Sequence, residues 1–209
     1  MTRVIWIVTD WYRSQSYYDQ GGWRATWDGE GGGVLLNQNP HNLDLWQWMC
    51  GIPKRVKSQV YYGKHRNIEV EDDLYALVEY ENGATGCYIT TVGDAPGTNR
   101  LEIDGTNGKI VVENNELTFY RLRIPEPEFN ATYKGGLGKP EVWECKIPIK
   151  GTYTSHPGII NNFCDCILKG AKPIAPGAEG IRGLQISNAI HLSSWLNGEW
   201  VDIPVNGDL

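Results

Sequence analysis

Clustered Lys and Arg are missing from this chain. Its 19 basic and 25 acidic side chains leave a net charge of −6 over 209 residues, which argues against a nucleic-acid surface, because phosphate contacts need a basic patch. No apolar run approaches the roughly 18 residues that span a bilayer, and the first residues lack the charged, apolar and small-residue layout of a signal peptide. A cytoplasmic protein with no membrane partner is therefore expected. The cysteines are few and irregular: Cys50, Cys87, Cys145, Cys164 and Cys166 form neither a disulfide framework nor a zinc site. Even the pair in Cys164-Asp165-Cys166 would point its thiols about 200° apart on a helix. Reduced, mostly buried thiols and no metal are expected. Internal repeats and low-complexity segments are also absent. What is present, 41% hydrophobic and 11% aromatic residues, supports a substantial core.

Gly33–Gly51, GVLLNQNPHNLDLWQWMCG, is the most informative stretch. Asn37 is a good N-cap after Gly31-Gly32-Gly33, Pro40 is tolerable only in a first turn, and Gly51 is a suitable stop, so the segment reads as one helix. On that helix Asn37, His41 and Asp44 share a polar stripe at i, i+4 and i+7, while Leu36, Leu43, Trp46 and Met49 face the interior. An outward-facing His41 can move a proton near neutral pH; a local capping or packing role is the plainer alternative.

Immediately upstream, Thr9–Gly33 gathers Trp11, Tyr12, Tyr17, Tyr18, Trp23 and Trp27 with Arg13 and Arg24. Ring faces stack on sugar C–H faces and guanidinium forks bind hydroxyls or carboxylates, a combination suited to polyhydroxylated or anionic ligands. The alternative is that the aromatics are core and the arginines are solvated.

The remainder alternates like a strand meander. Arg55–Gly63, Asp73–Glu79, Gly86–Val92, Arg100–Ile103, Lys109–Glu113, Glu116–Arg123 and Glu141–Pro148 read as strands, with Asn82-Gly83 as a tight hairpin turn and Ile124–Pro140 as a long loop. Ile159–Lys169 and Glu179–Ser194 carry helical spacing, and Trp200–Pro204 closes as a short strand. The expected fold is one α+β domain over residues 1–209: an open, predominantly antiparallel sheet with helices packed on one face. Glu71-Asp72-Asp73 reads as a solvated acidic loop, and His65 and His191 as structural or solvated.

Four segments together resemble the C-terminal domain of the Gfo/Idh/MocA (glucose-fructose oxidoreductase, inositol dehydrogenase, rhizopine catabolism) oxidoreductases. They are WYRSQSYYDQGGWRATWDGEGGGVLLNQNPHNLDLWQWMCG, VEDDLYALVEYENGATGCY, LEIDGTNGKIVVE and HPGIINNFCDCILKGAKPIAPGAEGIRGLQISNAIHLSSWLNGEWVDIP. The resemblance implies that His41 lies beside substrate and nicotinamide as a catalytic group. Many members carry an aspartate at the position of Asn37. An amide cannot take a proton as a carboxylate does, so Asn37 is cast as an orienting hydrogen-bonding group at the catalytic site. Arg13, Tyr18, Trp23 and Arg24 are the candidate substrate contacts, together with His156, for which a cap or loop role is at least as good a reading.

Family members begin with a nucleotide-binding domain carrying a Gly-rich turn and a Glu-Lys-Pro segment, and neither is found here. The nearest string, Gly135–Lys139, precedes Pro140 and no helix, so it reads as a loop. The expectation is that the N-terminal domain is missing, with strand-like RVIWIVTDWYR starting at the domain boundary. NAD or NADP then belongs to the full-length enzyme and is not bound by this chain alone. The implied function is oxidation or reduction of a sugar, polyol or derivative, with the isolated chain inactive. A nicotinamide-dependent glycosidase of the same family and a non-catalytic carbohydrate-binding or dimerisation module are the alternatives. The family also pairs its open sheet face with another subunit, implying a homodimer or larger homo-oligomer, with Tyr75, Leu77, Tyr88 and Ile89 as candidate contacts.

Overall fold

The computed structural model describes residues 1–151 and 155–207. Nine strands form one sheet: β1 (Arg3–Val8), β2 (Arg55–Tyr62), β3 (Glu71–Glu79), β4 (Thr85–Thr91), β5 (Asn99–Gly105), β6 (Gly108–Glu113), β7 (Glu116–Leu122), β8 (Val142–Ile147) and β9 (Val201–Asp202). Their spatial order is β8-β7-β6-β5-β1-β4-β3-β2-β9. Neighbours run antiparallel except β1 and β4, which are parallel because the long excursion from residue 9 to residue 84 returns the chain beside its starting strand. The hairpin at Asn82-Gly83 closes as expected: Tyr80 N–H donates to Ala84 O, and Gly83 takes φ 81°, a conformation that favours glycine.

Period-two alternation sorts the strands into two faces. Val4, Trp6 and Val8 of β1 lie level with Gly86, Tyr88 and Thr90 of β4, and these continue through Leu74, Ala76 and Val78 to Val56, Ser58 and Val60. This face is buried under α2 (Pro40–Cys50) and α5 (Gly180–Trp195). At its centre Trp46 of α2 stacks on Trp6 at 6.4 Å and meets Tyr88 edge-on at 5.4 Å, while its indole N–H donates to the Tyr80 hydroxyl at 2.6 Å. Strand β9 pairs with only two residues of β2, so the rest of that edge needs other partners. Helix α5 supplies them: the Ser193 and Ser194 hydroxyls accept from Ser58 N–H (2.9 Å) and Val60 N–H (3.0 Å).

The other helices lie outside this layer. They are α1 (Gln15–Asp19), α3 (Glu126–Thr132) and α4 (Ser155–Lys169), with shorter turns at Val34–Gln38 and Gly177–Glu179. Helix α3 occupies part of what reads as loop in the sequence; Pro127 is tolerated in its first turn, where Glu126 and Glu128 also favour the helix dipole. Helix α4 starts four residues before the expected Ile159, because Pro157 likewise sits in a first turn, and no residue of α4 is buried among those described. Met49 is exposed rather than interior, since the buried side of α2 is Asn42, Leu43, Trp46 and Gln47. The five thiols are free, and none falls in the buried class. Tyr88 is a correction too: its parity places it on the helix-covered side, fully buried, whereas Tyr75 and Leu77 are each 48% exposed on the open face. Among the described residues, no helix is long and apolar enough to cross a membrane.

Candidate functional site

The stretch expected as one continuous helix is broken in two. Val34–Gln38 forms a π-helical turn, and α2 begins only at Pro40, with Asn39 rather than Asn37 at its N-cap. The cause is a buried carboxylate on β3. Glu71 accepts Gly33 N–H on Oε2 (2.8 Å) and Leu35 N–H on Oε1 (2.9 Å), capping the turn from outside its own sequence. Glycine is needed at position 33 because a Cβ there would overlap the Glu71 carbonyl oxygen.

This break changes the polar stripe. Asn37 donates its amide to Glu30 Oε1 and accepts from Gln38 Nε2 at 2.6 Å. Glu30 reaches back with Oε2 to accept Ala25 N–H at 2.7 Å. Asn37 therefore ties the turn to the Trp23–Gly29 loop, and no hydrogen bond joins it to His41 among the described residues. His41 itself is exposed in the first turn of α2. With Asp44, Leu36 and Leu184 it lines a cleft of about 270 Å³ between α2 and α5. A larger concavity of about 800 Å³ lies elsewhere, on the open sheet face among Arg3, Arg100, Lys109 and Tyr120. Of the two, the smaller cleft is the one lined by a histidine.

The acidic run is not a solvated loop. Glu71 and Asp72 are fully buried, and all three carboxylates have partners. Asp72 accepts the backbone N–H groups of Lys64, His65 and Arg66 at 2.9, 2.7 and 2.9 Å, shaping the β2–β3 connection. Asp73 holds Lys64 Nζ at 3.0 Å and His65 Nε2 at 2.8 Å. On its far side Glu71 Oε2 lies 3.7 Å from His191 Nε2, and His191 Nδ1 is 3.0 Å from the Tyr62 hydroxyl. The rings of Trp27, Tyr62 and Trp195 surround that imidazole. Burial pushes the Glu71 carboxyl up to about 7 and the His191 imidazole down to about 4, so each is biased toward its neutral form.

Of the candidate substrate contacts, Arg13, Arg24 and Trp23 come together around Tyr17. Arg24 Nη1 donates to the Tyr17 hydroxyl at 3.0 Å, and Trp23 is half exposed. Tyr18 instead turns inward, 7% exposed and edge-on to Tyr17 at 5.1 Å, with its hydroxyl pKa raised by burial. Successive residues on the single turn of α1 point in different directions, so Tyr17 rather than Tyr18 faces the arginines. His156 is exposed on α4, where Nδ1 lies 3.3 Å from Ser155 Oγ; no hydrogen bond links it to this cluster or to His41 among the described residues. Glu30 and Glu71, which organise the site, escape a reading by residue type: Glu71 accepts two backbone N–H groups, and Glu30 divides between the Ala25 backbone N–H and the Asn37 side chain.

No curated protein matches the chain. Among solved structures, the WlbA dehydrogenase from Bordetella pertussis in complex with NADH and UDP-GlcNAcA is 25% identical, with a TM-score of 0.73 over 98% of this chain. The WlbA enzyme from Chromobacterium violaceum, solved with the same two ligands, is 28% identical with a TM-score of 0.75 over 98% of the chain. The chain spans 55% of the length of each. Levoglucosan dehydrogenase, in complex with NADH and levoglucosan, shares the fold at 21% identity and a TM-score of 0.69, over 97% of this chain and 58% of its own. The family model described as GFO/IDH/MocA C-terminal domain matches residues 2–111. Because that match covers more than half of the 209 residues, the chain belongs to the GFO/IDH/MocA C-terminal domain family.

Proposed function

We propose that this is the substrate-binding and catalytic domain of a cytoplasmic NAD(P)-dependent oxidoreductase acting on a sugar, a polyol or a derivative, with the nucleotide held by a separate N-terminal domain. The observation that carries this reading is the placement of His41: an exposed imidazole beside a cleft, at the start of a helix whose approach is fixed by Glu71, in a chain of this family. The WlbA relatives were solved with NADH and UDP-GlcNAcA and are nearly twice as long, which supports both the sugar and the second domain.

That the dinucleotide is held by the separate domain is supported by the one glycine string here that resembles a phosphate-binding turn. Gly135–Gly138 lies exposed between α3 and strand β8, so no helix N-terminus follows it to receive a pyrophosphate. The part proposed for this chain is to bind the substrate and move its proton. His41 exchanges the proton of a substrate hydroxyl, and Arg13, Arg24 and Trp23 hold the rest of the ligand. Asn37 acts by fixing the turn through Glu30. The test is a panel of sugars and polyols offered to the two-domain enzyme. Accumulation of NAD(P)H is expected; hydrolysis without net NAD(P)H would move the protein to the glycosidase alternative and sink the oxidoreductase reading.

The open sheet face supports a homodimer. Ile5, Ile7, Cys87 and Ile89 lie there beside the half-exposed Tyr75 and Leu77, and among the described residues no helix packs over them. Faces of this kind commonly bury above about 2,000 Å² in total when paired obligately. Light scattering should give twice the monomer mass, with Leu77→Lys shifting it toward monomer. A parent that stays monomeric at high micromolar concentration would count against the pairing.

A further inference from the structure

Trp11, Arg13, Tyr17, Arg24 and Trp23 form a ladder of alternating rings and guanidinium groups. Arg13 Cζ lies 5.5 Å from the Trp11 ring centroid and 5.2 Å from that of Tyr17; Arg24 Cζ lies 4.9 Å from Tyr17 and 4.4 Å from Trp23. Each guanidinium spends one N–H group locally, Arg13 Nη1 on Tyr12 O at 2.9 Å and Arg24 Nη1 on the Tyr17 hydroxyl. Among the described residues neither is ion-paired, whereas Arg55, Arg100 and Arg123 each sit on a glutamate. Scarcity of acid does not explain this, since the chain has 25 Asp and Glu residues.

Two cations over one tyrosine ring repel each other, and an anion reaching both reverses the sign of that interaction. Rings that cover guanidinium faces leave the in-plane N–H groups as the donors, the fork that meets an oxyanion edge-on. The ladder is also tied to the His41 segment: Ala25, the neighbour of Arg24, gives its N–H to the same Glu30 that holds Asn37.

We infer that the ladder is the seat of an oxyanion carried by the substrate, a carboxylate or a phosphate ester, so that the ligand class is an acidic sugar rather than a neutral polyol. This inference rests on the sugar-binding reading above. The experiment titrates this chain with glucuronate, glucose 6-phosphate, glucose and inorganic phosphate, following the arginine side-chain N–H signals by NMR. At least one acidic sugar is expected to bind roughly 10- to 100-fold more tightly than glucose, the worth of one or two charge-assisted hydrogen bonds. The preference should vanish in Arg13→Gln/Arg24→Gln and fall as salt is raised on the unaltered chain, a measurement that needs no variant to fold. Equal binding of acidic and neutral sugars, or a preference indifferent to both salt and the double substitution, overturns the ladder and leaves the sugar reading standing. Inorganic phosphate binding as tightly as the acidic sugars keeps an anion seat but removes the sugar reading, and no binding by any of the four overturns both.

Discussion

Glu71→Ala lowers the stability of the domain by about 3–5 kcal/mol, because two buried backbone N–H groups, those of Gly33 and Leu35, lose their acceptor and each such loss costs roughly 1–3 kcal/mol. Urea denaturation monitored by circular dichroism measures this directly. Glu71→Gln is the more informative partner variant, because its amide oxygen still accepts one N–H and the two substitutions separate by pH. In the folded state the Glu71 carboxyl is raised from 4.5 to about 7, so the fold binds more protons than the unfolded chain across that interval. Its contribution is therefore largest at acid pH and is lost as pH rises toward 7. His191 has the opposite sign: burial lowers it from 6.5 to about 4, the fold binds fewer protons there, and stability rises with pH through that window. The two slopes oppose between 4.5 and 6.5, each at most about 1.4 kcal/mol per pH unit, so the contributions of the two groups offset one another in this range. Glu71→Gln exposes the His191 slope, and its stability should climb steeply between about pH 4 and 6.5. A variant whose stability follows pH with the same slope as its parent would show that His191 does not sit neutral against Glu71.

The strands were legible because their information is local. Alternation in Leu74–Val78 and the Asn82-Gly83 turn decide that hairpin without reference to the rest of the chain. The helix after the glycines was legible only in part. Its caps and apolar spacing are local signals, but the carboxylate that makes its approach a π turn comes from a residue 36 to 38 positions away. Three acids in a row look solvated by composition, and what buries Glu71 and Asp72 is a set of backbone amides that no side-chain pattern advertises. Of Gly31-Gly32-Gly33 only Gly33 is required by a close approach, that of the Glu71 carbonyl, and a run of glycines does not name the segment that approaches it. The aromatic and arginine cluster was visible as composition. Which tyrosine faced the arginines depended on one turn of helix, beyond the resolution of a residue count.

His41→Ala, made in a two-domain enzyme containing this domain, should lower kcat by roughly 10²–10⁴-fold, the usual worth of one positioned acid–base group. The fold should survive, because α2 is anchored by Leu43 and Trp46, each 2% exposed, while His41 looks outward. Thermal melting of the variant within a degree or two of its parent, an interval on the order of 0.5 kcal/mol for a domain of this size, is the control. Asn37→Asp then separates the two ways in which position 37 can act. Were Asn37 the partner of His41, a carboxylate there would favour the imidazolium and shift the pH–rate profile of the enzyme. In the structure its amide donates to Glu30, so the substitution sets two carboxylates against each other, and one of them must take up a proton. The expected result is a domain that loses stability as pH rises, since the raised carboxyl binds its proton only when folded, with the profile's dependence on His41 unchanged. If His41→Ala keeps full turnover but melts far below its parent, the imidazole is structural and the catalytic role falls to another group in the cleft.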